Sequence, residues 1–345
     1  MKTSSIGNWG SDMKNVICPV TRFFVLTATA LVSLSTLANA QFFYAAQGPS
    51  GKIGKVTATG VPVPASLTPW VEYAGQNVQG ITTDSFGNVF AAVGSTIYQI
   101  TPSGSSSLYG TYTSPISGLT MNSSNVLYGV RDSGGPEGGG DIGIYSAGNT
   151  FTPINLTNPG FATFFSANGL KFDGLGNIFV TNSSNGGIFP FSLLKLTPSG
   201  PNWTVSQFVN YGGSFSPYDV VMDLSNNVYV SSASASPSIL KYDSTGAPVV
   251  AFTLSGIPGG QVAGLAFANN KLYATSAGTF KIWEIDPTTG AATDFLGAGV
   301  FLPDFRSTFL AYSPVPEPSQ ICLVLFSGLA LIGRRVMRNK SQVLS

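Results

Sequence analysis

Histidine is absent from all 345 residues, and only 9% of the chain is Asp, Glu, Lys or Arg, against about 25% in an average soluble domain. Without histidine, no Ser-His-Asp triad, Cys-His dyad or His-ligated zinc site can be built within one chain. Cysteine is nearly absent too: Cys18 and Cys322 lie near the two ends, so the body between them can form no disulfide. What replaces these residues is 41 Gly, 22 Pro and 24 Phe, with only 5 Met. Glycine and proline interrupt helices while aromatics pack well on pleated surfaces, which excludes helical bundles and coiled coils and points to short strands and turns. Residues 41–314 hold nine basic and thirteen acidic residues, a net charge of −4. That argues against nucleic acid as a partner, since binding phosphates needs clustered Lys and Arg.

The two ends read as addresses. Lys14 and Arg22 precede an apolar stretch, Phe23 to Leu37, that closes with Ala38-Asn39-Ala40. This is the form of a secretory signal, with cleavage by signal peptidase expected after Ala40. Gly7, Asn8, Gly10 and Asp12 open such a signal poorly, whereas Met13-Lys14 begins one of ordinary length, so translation is expected to start at Met13. At the other end, Val315-Pro316-Glu317-Pro318-Ser319 precedes thirteen apolar or small residues, Ile321 to Gly333, and then Arg334, Arg335, Arg338 and Lys340. Thirteen residues fall short of the ~20 that a permanent span needs, but basic flanks hold such a segment at the cytoplasmic side, as a transient anchor. The order of these features resembles the PEP-CTERM sorting signal of exported bacterial proteins. The resemblance implies a Gram-negative host that makes extracellular polysaccharide, and a membrane exosortase acting near Pro316-Glu317-Pro318. The expected organisation is a signal peptide over 1–40, a body over 41–313 and a sorting segment over 314–345.

The body repeats a phrase: Gly-apolar, a turn with Asp or Asn and Gly, then a short apolar run. It occurs as Gly80-Ile81 with Asp84 to Phe90, Gly118-Leu119 with Asn122 to Tyr128, and Gly169-Leu170 with Asp173 to Phe179. It recurs as Val220-Val221 with Asp223 to Tyr229 and as Gly264-Leu265 with Asn269 to Tyr273. Aligned on Val89, Val126, Ile178, Val228 and Leu272, the copies are 37, 52, 50 and 44 residues apart, near the forty to fifty of a β-propeller blade. Each phrase reads as a tight hairpin. Third strands follow at Thr96 to Thr101, Ile142 to Tyr145, Leu193 to Thr197, Ile239 to Tyr242 and Lys281 to Ile285, and turns of the Pro-Ser-Gly or Asp-x-x-Gly kind then lead to an outer strand.

Phe43 to Ala46 and Lys52 to Thr57 read as the second and third strands of a further blade whose first strand is missing. Thr308 to Tyr312 has the first-strand pattern and no partner after it. Joining the two ends gives a sixth blade and closes the ring without free edges. The expected fold is therefore all-β, a six-bladed β-propeller; a seventh, irregular blade between copies two and four is the alternative. The phrase Gly-Leu-x-x-Asp-x-x-Gly-Asn-Ile-Phe-Val is similar to NHL-type repeats and to the gluconolactonase and streptogramin-lyase propellers. Lyases of that kind depend on histidine, so their chemistry does not carry over. Gluconolactonase-type enzymes hold a divalent metal with Glu, Asn and Asp, and no Glu stands near the first strand where the resemblance expects one.

Asp84, Asp173 and Asp223 recur at one position of the repeat and would form a ring able to take Ca²⁺; the competing role is to cap their own turns, as Asn122 and Asn269 do in the other copies. The loop Arg131 to Asp141 carries three acids on a glycine-rich backbone, either a Ca²⁺ wrap or an uncommitted surface loop, and it lacks the order of an EF-hand. Trp70, Trp203 and Trp283 are candidates to stack on sugar rings, or blade-packing residues. No catalytic residue is assigned. The leading expectation is an exported binding module of the cell surface or extracellular matrix, partnered with exopolysaccharide or a matrix protein. The alternatives are a metal-dependent lactonase or esterase using acids in the channel, and a structural protein that binds nothing specific.

Overall fold

The computed structural model describes residues 41–313 except 61, 64–68, 133–139, 158–166, 184–188, 233–238, 258–261, 277–280 and 296–306. The expected signal segment with Ala38 and Ala40 lies outside the described residues. So does the expected sorting segment with Val315 to Ser319, Arg334, Arg335 and Arg338, as does the middle of the Arg131 to Asp141 loop.

The described residues form strands and turns, with no helix among them. Blade 1 contains β1 (Phe42–Gln47) and β2 (Lys52–Thr57), with the two-residue strands β3 (Pro62–Val63) and β4 (Val71–Glu72) both set against β2. Blade 2 is β5 (Val78–Thr83), β6 (Val89–Val93), β7 (Thr96–Ile100) and β8 (Ser106–Thr111). Blade 3 is β9 (Ile116–Met121), β10 (Leu127–Asp132), β11 (Gly140–Ser146) and β12 (Thr150–Pro153). After β13 (Asn155–Leu156), blade 4 is β14 (Ala167–Phe172), β15 (Ile178–Asn182), β16 (Ser192–Ser199) and β17 (Asn202–Asn210), and β13 pairs parallel to its outer strand β17. Blade 5 has β18 (Pro217–Met222), β19 (Val228–Ser232) and β20 (Ile239–Tyr242); blade 6 has β21 (Val262–Ala268), β22 (Lys271–Ser276), β23 (Lys281–Ile285) and β24 (Ala292–Asp294). The last strand, β25 (Ser307–Ser313), returns to pair antiparallel with β1. The chain folds as a six-bladed β-propeller.

Second strands explain the apolar runs of the repeat. In β6 and β15 every residue is buried, because such a strand is covered on both faces by neighbouring blades and is written as a continuous apolar run. The core is correspondingly divided into six clusters, each shared by two adjacent blades. The cluster between blades 6 and 1 closes the ring. There Phe43 packs on Tyr273 with ring centroids 4.3 Å apart, and on Tyr312 at 5.1 Å.

Blade 5 departs from expectation, for its outer strand is reduced to one bridge, Tyr242 to Pro248. The preceding turn forms, with the Asp243 carboxylate accepting from the N–H groups of Thr245 and Ala247. The two bonds flanking that bridge form, Asp243 N–H to Ala247 O and Val249 N–H to Lys241 O, both at 2.9 Å, and the ladder stops because the chain then curls into a second turn in which Phe252 N–H donates to Val249 O at 3.1 Å.

Candidate functional site

Six innermost strands, β5, β9, β14, β18, β21 and β25, surround the axis. One position on each meets the next blade closely: Gly80, Gly118, Gly169, Asp219, Gly264 and Phe309. A Cβ on Gly118 would stand 2.4 Å from Asn168 O, one on Gly169 2.6 Å from Asp219 Cα, and one on Gly264 2.6 Å from Leu310 N. Backbone cannot yield as a flexible side chain can, so glycine at these places is a packing requirement. In blades 4, 5 and 6 the innermost strand shifts register just before this position, which takes its N–H out of the ladder. A hydroxyl on the second strand accepts it instead: Thr181 from Gly169 at 2.9 Å, Ser231 from Asp219 at 3.1 Å and Thr275 from Gly264 at 2.9 Å.

Asp219 was missed in the repeat because that copy was aligned on Val220-Val221. Its signal is plain once the turns are aligned, since Asp219 precedes Asp223 by four residues as Gly169 precedes Asp173. Its Oδ1 accepts from Val220 N–H and its Oδ2 from Leu265 N–H of the next blade, both at 2.8 Å. Burial raises the Asp219 carboxyl to about 6, against the lowering effect of those two N–H groups and of Lys171. Lys171, two residues beyond Gly169, is itself lowered by burial while Asp219 pulls it back up. These two opposite charges face a narrow chamber of about 20 Å³, lined also by Gly80, Gly118, Gly169 and Phe309, which is room for about one water.

Toward the ends where the innermost strands begin, the channel opens into a mouth of about 230 Å³. Among the described residues its lining is neutral: Asn77, Val78, Gln79, Ser117, Asn168, Tyr218 and Phe309, with Gly48 and Pro49. Tyr218 and Phe309 lie with ring centroids 6.0 Å apart and planes 32° from parallel. The Tyr218 hydroxyl is pushed up to about 12, by burial first and then by Asp219, so it stays a donor across the neutral range. Ser117 Oγ donates to Ala167 O at 2.7 Å, and the buried Gln79 Oε1 has no hydrogen-bond partner. A wall of amides, hydroxyls and half-buried rings suits hydroxyl-rich, uncharged ligands that both donate and accept.

The three repeated acids lie at the opposite end, in the turns that follow β5, β14 and β18, and each is engaged by its own turn. Asp84 Oδ1 accepts from Phe86 and Asn88 N–H at 2.9 and 2.8 Å, and its Oδ2 accepts from Asn88 Nδ2 at 2.8 Å. Asp173 repeats this with Leu175 and Asn177, and Asp223 with Ser225 and Asn227. Among the described residues, no three acidic or cysteine side chains gather where they could hold a metal ion. Of the glycine-rich loop, Arg131 and Asp141 are paired across β10 and β11 and joined by an ion pair. The tryptophans serve the blades: Trp70 packs on Tyr44, Trp203 lies edge-on to Tyr128, and Trp283 is buried between blades 5 and 6.

Comparison with known proteins places the fold. A chain in the crystal structure of a nidogen/laminin complex superposes with a TM-score of 0.61 and 12% identity, over 79% of this chain and 98% of that one. A protein of unknown function from Bacteroides caccae gives 0.55 and 13%, over 79% and 99%. A gluconolactonase from Xanthomonas campestris gives 0.50 and 12%, over 70% and 85%. No protein-family model and no curated protein matches the sequence. At such identities the likeness is one of architecture, which propellers share across unrelated activities.

Proposed function

We propose that the chain is an exported, non-catalytic binding module whose channel mouth takes up a neutral saccharide unit of an extracellular polysaccharide. The observation that carries this reading is the chemistry of the mouth. It is a chamber of about 230 Å³ whose described lining holds no charged side chain, with an aromatic pair on one side and amide and hydroxyl groups around it. The size is below the roughly 300 Å³ at which drug-sized sites begin, so it suits a single ring. The histidine-free sequence and the turn-bound acids favour binding over hydrolysis. Export through the signal at 1–40, transient anchoring in the inner membrane and sorting by an exosortase at Val315 to Ser319 would deliver the module to the outer surface or the matrix.

The test is retention of the full chain on immobilised exopolysaccharide, with product analysis of the eluate. Retention without cleavage, weakened about tenfold by Gln79→Ala and by Tyr218→Ala at unchanged melting temperature, is the expected result; loss of one anchoring contact of this kind costs about 1–2 kcal/mol. Retention on a matrix protein in place of the polysaccharide would transfer the role to protein recognition. Turnover of a lactone or ester substrate, abolished by chelator, would overturn the non-catalytic reading.

A further inference from the structure

Phe86, Leu175 and Leu224 are 66%, 75% and 87% exposed, three of the five large apolar side chains that stand in solvent among the described residues. Singly exposed apolar residues are ordinary, but these share one structural place. Each stands at the tip of the turn between the innermost and second strands of its blade, so all three project from the face opposite the mouth. The turns do not require them. Their geometry needs an acceptor at Asp84, Asp173 or Asp223 and a left-handed residue three places on, supplied by Gly87 (φ 82°), Gly176 (φ 84°) and Asn226 (φ 59°). Blade 3 makes the same turn with Ser123 and Ser124 at its tip. The carboxylates are turned back into the turns, Asp84 being 7% exposed, so at the first of these turns an apolar side chain leads and the acid lies behind it. The turns of blades 4 and 5 are also held together, Gly174 N–H donating to Asn226 Oδ1 at 3.2 Å.

The chain both enters and leaves the propeller by this face. Phe42 pairs with Ser313 at the ends of β1 and β25, and Thr83 Oγ1, beside the Asp84 turn, donates to Tyr312 O at 2.9 Å. Seven residues, 314–320, separate β25 from the apolar run Ile321 to Gly333, a reach of about 25 Å when fully extended. We infer that the face bearing Phe86, Leu175 and Leu224 rests on the lipid bilayer while the C-terminal segment is inserted, so that the mouth points away from the membrane. The inference rests on the reading of that segment as a membrane anchor. The three tips enter the interfacial region.

The absence of cysteine from the body makes a single-label test clean. In the full chain with Cys18→Ser and Cys322→Ser, an environment-sensitive fluorophore is placed at Leu175→Cys or, on the mouth face, at Asn77→Cys. The chain is then mixed with vesicles of phosphatidylethanolamine and phosphatidylglycerol. Co-flotation with blue-shifted, brightened emission at position 175 and water-like emission at 77 is expected. Co-flotation with water-like emission at both positions overturns the inference while leaving the anchor standing; failure to float overturns both. Replacing Phe86, Leu175 and Leu224 together by serine keeps the Asp and left-handed residues of each turn. It is expected to lower partitioning about tenfold at unchanged melting temperature, and unchanged partitioning would count against the three tips.

Discussion

At the scale of single residues, the axis is where chemistry and packing compete. Five of six blades cannot show an acid at the close-approach position: four carry glycine, and blade 1 carries Phe309. Asp219 alone brings charge there, and burial holds its carboxyl near 6. The folded state therefore binds the proton more tightly than the unfolded chain, whose carboxyl titrates near 3.8. The contribution to stability is complete below about pH 4 and is lost as pH rises through 6, a fall of about 2–3 kcal/mol. With no histidine in the chain, no imidazole titrates in that window. Melting curves between pH 4 and 7.5 should show the decline in the native protein, its absence in Asp219→Ala, and a shift to higher pH in Lys171→Met, where the cation that lowers Asp219 is gone. The glycines make a second, opposite prediction. Gly169→Ala drives a Cβ into Asp219 Cα and Tyr218 O and should cost about 1–3 kcal/mol, a fall in melting temperature of several degrees. Gly176→Ala, with open space around it but a φ of 84°, should cost less, about 1 kcal/mol. None of this was legible in the fourth repeat, because a phrase recognised by its glycine hides the copy in which aspartate replaces it.

At the scale of elements, most strands were legible because their physics is local. A doubly covered second strand must be an apolar run, and the third strands β2, β20 and β23, each closed by a turn that carries Gly or Asp, begin and end where the sequence places them. The failed outer strand of blade 5 was not legible, since the turn that ends it, Val249 to Phe252, carries no Gly, Asn or Asp to mark it. The mouth escaped for a related reason: Gln79, Ser117, Asn168 and Tyr218 lie on four different strands, and no spacing in sequence joins them. The repeated acids supply the prediction for this scale. Each carboxylate satisfies two backbone N–H groups and one side-chain amide, so Asp173→Ala should cost about 1–3 kcal/mol by stranding those donors. Asp173→Asn should cost less, because Asn122 performs the same task for Ser124 and Val126 N–H at 3.0 and 2.8 Å. Thermal melts of the native chain with excess Ca²⁺ and then chelator are expected to coincide. A bound ion at a hundredfold excess over its dissociation constant would add about 2.7 kcal/mol, and a rise of that size would show that the acids do more than hold turns.

At the scale of the whole molecule, the ring exists because its two ends complete one sheet. β25 supplies the innermost strand of blade 1, and its residues Leu310 and Ala311 belong to two different inter-blade clusters, one shared with blade 6 and the other with blade 2. This closure was legible as an arithmetic of missing pieces, a blade without a first strand at one end and a first strand without a blade at the other. It also has a thermodynamic signature. Without β25, the inner edge of β1 loses every ladder partner on that side, Gly264 loses the backbone it packs against, and the rings of Phe43 and Tyr273 lose the cover of Tyr312. Such an exposed, apolar edge is a template for pairing with another chain. A chain deleted for residues 307–313 should therefore be recovered as aggregate, or as a soluble species that binds a hydrophobic dye and melts without a sharp transition. A second variant separates closure from mere loss of residues: Leu310→Ala keeps the ladder but trims the cluster with blade 6, and should fold cooperatively with a loss of about 2–4 kcal/mol. Were the deleted chain to stay monomeric and melt cooperatively, five blades would be stable alone and the pairing of the two ends would be incidental to the ring.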